Sequence, residues 1–324
     1  MTNGVEKRQR IDYIDYVKAL CIFLMVVAHW THNEYLFRYI YSFHMPAFFL
    51  VSGMLHHPRP WRYTFLSFAF PICCISLLGG ILQYCFLSLD TSNVTWQQLL
   101  AGVVHYRFDT RFNFFNGDWF IWTLVALRFL FGDVRHLSFL RKKNCYITLS
   151  ILAVIYMVAE PFFFKGNATH ILFTAERAIP CLPFFCMGMY LQDTNWKPET
   201  LPTYMVIICM IAAIVMPELN GTCDIYYNKY GHSYLFFLIN ALLSTLLIMY
   251  CMSKLPASNF IKSVSTGTLI IIGLNQTLGK MLNLWIPWSR HYVIPFLIMA
   301  ICYPAIIYFD KHFPLILGKW RRPI

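Results

Sequence analysis

The chain has 324 residues, 58% of them hydrophobic and only 13% charged, with a formal net charge of +11. Soluble domains carry about 25% charged residues, so this composition excludes a soluble globular protein. The positive charges sit in short clusters between apolar runs, which orients a multi-span membrane protein and does not build a nucleic-acid-binding patch.

Ten apolar segments are expected, at about 12–31, 36–55, 63–88, 118–132, 145–164, 170–191, 202–217, 233–252, 267–286 and 291–309. Each lies near the roughly 20 residues that a bilayer core requires, the fourth being the shortest. The fold class is thus an all-α polytopic membrane protein with about ten transmembrane helices. A single membrane domain over 1–324, with no internal repeat and no appended soluble domain, is expected. Alternating the segments puts Arg59, Arg62, Arg141, Lys142, Lys143, Lys197, Lys254, Lys262, Lys311 and Lys319 on the side of the N-terminal tail. The positive-inside bias then makes both termini cytoplasmic. Lys7, Arg8 and Arg10 imitate a signal peptide, but Asp12, Asp15 and Lys18 interrupt the approach, so a retained first span is expected.

In the first segment Lys18 and His29 stand eleven positions apart. At about 100° per residue they share a helix face, roughly 16–17 Å apart along the axis. Ionisable groups inside membrane helices are rare unless they serve a purpose. His29 is suited to act as a base, because imidazole titrates near neutrality, or it is a structural interfacial histidine. Lys18 grips phosphate, pairs with a carboxylate or snorkels to headgroups. Asp15, one turn earlier, is its local partner or simply a first-turn acid.

In the second segment His44 precedes Pro46, and a proline kink suits the wall of a cavity. Arg59 and Arg62 occupy the following loop, either as phosphate-binding forks or as topology signals. The long loop 89–117 carries Trp96, His105, Arg107, Asp109 and Arg111 ahead of Asp118 and Trp119. Glu176 and Arg177 fall in the sixth segment, where an ion pair serves substrate contact or helix packing. The eleven cysteines lie almost wholly in apolar runs as small buried hydrophobes. No Cys-x-x-Cys spacing is present, so no metal site is expected.

Two motifs together resemble a known family. One is the basic residue and histidine separated by ten residues, Lys18…His29. The other is Phe43-His44-Met45-Pro46-Ala47-Phe48-Phe49-Leu50-Val51-Ser52-Gly53. Both are similar to signatures of the membrane acyltransferase-3 family, integral-membrane sugar O-acetyltransferases. The resemblance implies an O-acyltransferase in the cell inner (plasma) membrane. It would move an acyl group from acyl-CoA, most often acetyl-CoA, to a sugar hydroxyl of a bacterial surface polysaccharide or its lipid-linked precursor. It implies His29 as catalytic base or transient acyl carrier, with Lys18 and Asp15 beside it. Arg59, Arg62 and Lys18 would hold the CoA phosphates. His44, Asp118, Trp119, Glu176, Arg177 and Asn275 are the candidate substrate-binding residues. The chain departs from its relatives at Asn275, which stands where a histidine is expected and cannot serve as a base. The donor is a substrate, so no bound cofactor is expected. The partners are acyl-CoA, a glycan or lipid-linked acceptor and the bilayer, with no nucleic acid and the oligomeric state open. A secondary transporter of a small polar or anionic solute is the alternative, although the chain lacks paired discontinuous segments in matching halves.

Overall fold

The structure is a computed structural model that describes residues 11–87, 119–133, 135–163, 173–286 and 288–319. Its helices are α1 (Asp12–Trp30), α2 (Glu34–Tyr41), α3 (His44–Met54) and α4 (Trp61–Thr64), which runs through a π turn (Phe65–Ala69) into α5 (Phe70–Leu87). There follow α6 (Trp119–Leu130), α7 (Lys143–Phe163), α8 (Phe173–Asp193), α9 (Thr203–Asn220), α10 (Tyr234–Ser253), α11 (Asn259–Thr266), α12 (Thr268–Trp285) and α13 (Ile294–His312). Among the described residues, six helical stretches are long and apolar enough to cross a membrane: Asp12–Trp30, Trp61–Leu82, Lys143–Pro161, Thr203–Asn220, Tyr234–Ser253 and His291–His312. The chain is therefore an all-α polytopic membrane protein. The loop residues Trp96, His105, Arg107, Asp109 and Arg111, and Asp118 at its end, lie outside the described residues.

The apolar segments coincide with helices except at 36–55, which is two helices and not one continuous helix. Pro46 is the physical reason. Its ring collides with the carbonyl four residues back, that of Ser42, if one helix runs through both. The chain breaks instead at Phe43, whose φ of −146° and ψ of −27° are not helical. His44 bridges the break, its Nδ1–H donating to the Ile40 carbonyl at 2.7 Å.

Helix α1 forms the centre of the bundle, touching α2, α3 and α10 to α13. Its buried residues Val17, Cys21, Ile22 and Val26 belong to the core. Helices α3 and α8 cross backbone to backbone: a Cβ on Gly53 would run into the Phe185 carbonyl oxygen, and one on Gly188 into that of Leu50. Small residues allow this approach where lipid supplies no hydrophobic drive between helices. Helices α7 and α9 present Ile151, Leu152, Ile155, Ile207, Ile208 and Ile211 outward, a surface suited to acyl chains.

The loops gather at the two ends of the bundle. At the Lys18 end, Asp12 pairs with Lys262 at 3.1 Å, Tyr16 donates to the Pro256 carbonyl, and Asp133 N–H donates to the Arg59 carbonyl. Gly318 packs against Ser67 in the π turn. At the other end a short antiparallel hairpin, β1 (Cys223–Asp224) with β2 (Lys229–Tyr230), follows α9. Asn220 ties it down, donating to the Tyr230 carbonyl at 2.9 Å and accepting from Ser233 N–H at 2.9 Å.

Candidate functional site

Lys18 and His29 line two different cavities on the face of α1 that they share. The His29 cavity, of about 730 Å³, is walled by His29, His32, His44, Phe37, Tyr41, Trp119 and Tyr226, with Glu34, Asp224 and Gln276. The Lys18 cavity, of about 1120 Å³, is lined by Asp15, Lys18, Arg59, Arg128, Lys197 and Glu199 among others. Three side chains, Phe48, Phe120 and Ile272, line both. Each comes from a helix that carries another residue of the His29 cavity. Phe48 lies one turn beyond His44 on α3, Phe120 follows Trp119 on α6, and Ile272 precedes Gln276 by one turn on α12. Phe48 and Phe120 close on each other with ring centroids 5.3 Å apart.

The charges divide between the cavities. Glu34 and Asp224 are the carboxylates of the His29 cavity, whose described lining includes no lysine or arginine. The Lys18 cavity carries four such cations against Asp15 and Glu199. A polyanion is thereby drawn to the Lys18 side.

His29 meets Gln276, with Gln276 Nε2 2.8 Å from His29 Nδ1. A carboxamide offers either its NH2 or, turned over, its oxygen. In the second orientation Nδ1–H donates to Oε1, and the Nε2 lone pair is left to accept a proton. Gly279, one turn further along α12, makes the pairing of helices possible. A Cβ there would overlap the Trp30 indole, next to His29.

Asp15 and Lys18 converge on Ser265. Lys18 Nζ donates to its carbonyl at 2.9 Å, while Ser265 Oγ donates to Asp15 Oδ1 at 2.6 Å. Arg59 lines the Lys18 cavity, but Arg62 is exposed outside that lining, with its guanidinium 5.8 Å from the Trp61 ring. His44 is 1% exposed and reaches the Tyr41 ring at 4.9 Å. Trp119 faces Tyr226 at 6.3 Å. Arg177, 4% exposed, lies outside the cavity lining. It stacks over Tyr226 at 4.7 Å and donates to the Tyr226 carbonyl through Nε at 3.0 Å. Arg177 therefore positions the hairpin that carries Asp224. The Glu176 side chain lies outside the described residues. Asn275 is 1% exposed and lies beside His29, with its Nδ2 donating to the Ile272 carbonyl at 2.7 Å.

Four contributors had no signal in a single sequence. Gln276 is an ordinary helix residue until α12 is seen against α1. Ser265 closes the Asp15–Lys18 cluster from 250 residues away along the chain. Asp224 and Tyr226 enter through a short hairpin between two spans. Asp224 Oδ1 accepts from Tyr226 N–H at 2.9 Å. Burial outweighs that bond and the nearby Lys229 and Arg177, and pushes the Asp224 carboxyl up to about 6.

The fold and the site define a helical membrane protein with a cationic cavity and a histidine cavity set back to back. A family model described as an acyltransferase domain matches residues 11–309. The chain belongs to that family, acyltransferase-3. It is also similar to the nodulation protein NolL of Sinorhizobium fredii, 26% identical over 195 residues that make up 56% of this chain and 48% of the relative. The chain thus matches about half the length of that curated relative. No solved structure matches the chain significantly.

Proposed function

We propose that the protein transfers an acyl group, most simply acetyl, from acyl-CoA to a sugar hydroxyl of a bacterial surface polysaccharide or its lipid-linked precursor. The observation that carries this is the pair of cavities sharing one thin wall, cationic on one side and bearing His29 on the other. The phosphates of CoA suit Lys18, Arg59, Arg128 and Lys197, where arginine adds a bidentate fork. The rise from Lys18 to His29, roughly 16–17 Å, is comparable to a pantetheine arm, so the thioester reaches the imidazole from an anchored nucleotide. Across the wall, Trp119, Tyr226, Phe37 and Tyr41 offer apolar faces to a sugar ring, and Asp224 and Glu34 offer acceptors to its hydroxyls.

In the transfer His29 takes the hydroxyl proton as the sugar oxygen attacks the thioester carbonyl carbon. A C–O bond forms, the C–S bond breaks, and the departing CoA thiolate recovers a proton, giving ester and free CoA thiol. Asp15 and Ser265 hold Lys18 in place, and Gln276 sets the tautomer of His29. The basic loops at the Lys18 end support a cytoplasmic location for that face and for both termini, in the plasma (inner) membrane. About ten crossings follow if the shorter helices also span. Family membership favours this reading over the transporter alternative.

The test is His29→Ala in membranes supplied with labelled acetyl-CoA. Incorporation of label into glycan should fall by about 10²–10⁴-fold while the variant remains at wild-type abundance. Near-normal labelling by a well-inserted variant removes His29 from the mechanism.

A further inference from the structure

We infer that Arg59 and Arg128 hold the 3′-phosphomonoester of the donor, so that the protein selects CoA thioesters over dephospho-CoA thioesters. The inference rests on the donor reading above and assigns one of the donor's phosphates to a subsite of its own. Both residues line the Lys18 cavity, Arg128 from the last turn of α6 and Arg59 from the loop between α3 and α4. That loop is pinned to the residues at the end of α6. Asp133 N–H donates to the Arg59 carbonyl at 3.0 Å, and His56 Nε2–H donates to the Phe131 carbonyl at 2.9 Å. These bonds hold two like charges close enough to repel one another. Such an arrangement is unfavourable until an anion offsets it.

Arg128 is set to bind a ligand. Phe68, carried by the π turn, lies 4.7 Å from its guanidinium and steadies the plane of the fork. Nη2 reaches the Ser52 carbonyl at a long 3.3 Å, and Nε is buried with no hydrogen-bond partner among the described residues. A buried donor left open is costly, and a bound anion removes that cost. The carboxylates of the same lining are turned to other groups, Asp15 to Ser265 Oγ and Glu199 to the Tyr13 hydroxyl. CoA carries two kinds of phosphate. Its pyrophosphate is singly charged at each phosphorus, whereas the 3′-phosphomonoester carries about −1.5 to −2 charges and three acceptor oxygens. A pantetheine arm that reaches from His29 to Lys18 ends there and brings the pyrophosphate to Lys18. The monoester lies one ribose further on, where two guanidinium forks match its charge and its oxygens.

The experiment supplies membranes containing the full chain with acetyl-CoA or acetyl-dephospho-CoA, each labelled in the acetyl group. It reads label incorporated into glycan together with free thiol released. The wild type should favour acetyl-CoA by about 10–100-fold in kcat/KM, the worth of a charge-assisted hydrogen bond. Arg128→Gln should lower kcat/KM for acetyl-CoA by about tenfold or more and far less for acetyl-dephospho-CoA, so that the ratio shrinks towards one. Arg128→Lys keeps the charge and gives up the fork, and its ratio should fall between the two. A purely structural Arg128 would slow both donors equally, so an unchanged ratio in variants present at wild-type abundance overturns the subsite. So does a wild type that uses the two donors alike, a result that needs no variant. Absence of both label and thiol from either donor in the wild type instead overturns the donor reading, and the subsite falls with it.

Discussion

His29 and Gln276 meet in one side-chain contact, and the proposed transfer says what its loss should do. With Leu in place of Gln276, the ring loses the partner that fixes its tautomer, and kcat should fall by about 10–100-fold with little change in donor KM. Gln276→Glu puts a negatively charged acceptor at Nδ1, so the acid limb of the pH–rate profile should move to higher pH. An unshifted profile would make Gln276 a packing residue only. At Lys18 the charge should matter more than the chain: Lys18→Arg should retain much of the activity and Lys18→Met should lose it, both read against membrane abundance. A fully active Lys18→Met would leave its bond to the Ser265 carbonyl as a packing contact only. Asp224 titrates in the folded state near 6 instead of its ordinary 3.8. A raised carboxyl contributes stability fully present below about pH 4 and lost as pH rises through about 6. Arg177 and Lys229 moderate this, and Glu34 and the histidines of the cavity face it. Thermal melts should therefore show wild-type stability declining across that window relative to Asp224→Asn. Parallel curves would show that Asp224 ionises freely. Lys18, His29 and His44 were legible because ionisable groups in apolar runs stand out. Gln276 and Ser265 were not, because their meaning comes from contacts roughly 250 residues away in the chain.

Among the elements, the crossing of α3 and α8 is set by two glycines. Gly53→Ala and Gly188→Ala place a methyl against a facing backbone carbonyl that no rotamer change can relieve. Overpacking of this kind costs about 1–3 kcal/mol and often more against backbone. Either variant should lower the melting temperature in detergent, and one that melts with the wild type would mean the helices separate freely. The positions of the helices follow closely from hydropathy, since each apolar run needs its backbone bonded within itself. What hydropathy missed is the break at Phe43, because a sliding window averages over Pro46 and its collision with Ser42. It also missed the hairpin after α9, whose anchor is the Asn220 side chain and not a long β pattern. That hairpin gives the His29 cavity Asp224 and Tyr226, so part of the site was hidden with it.

The whole molecule places its basic loops and its cationic cavity at one end. Sealed vesicles of known orientation should therefore take up label only when acetyl-CoA is supplied from the Lys18 side. Labelling from the opposite side alone would invert the proposed topology. In the same preparation Arg59→Ala should raise the donor KM, while Arg62→Ala, outside the cavity lining, should change it less. The thin wall between the cavities also has an electrical meaning. If the two cavities open to opposite faces and hold water, conducting solution comes close to Phe48, Phe120 and Ile272 from both sides, and much of the membrane voltage would fall across those three side chains. Moving one elementary charge through such a drop costs or yields about 2.3 kcal/mol per 100 mV. In the proposed transfer a neutral acyl group would cross it without electrical work, and its delivery would be indifferent to whether the cell is energised.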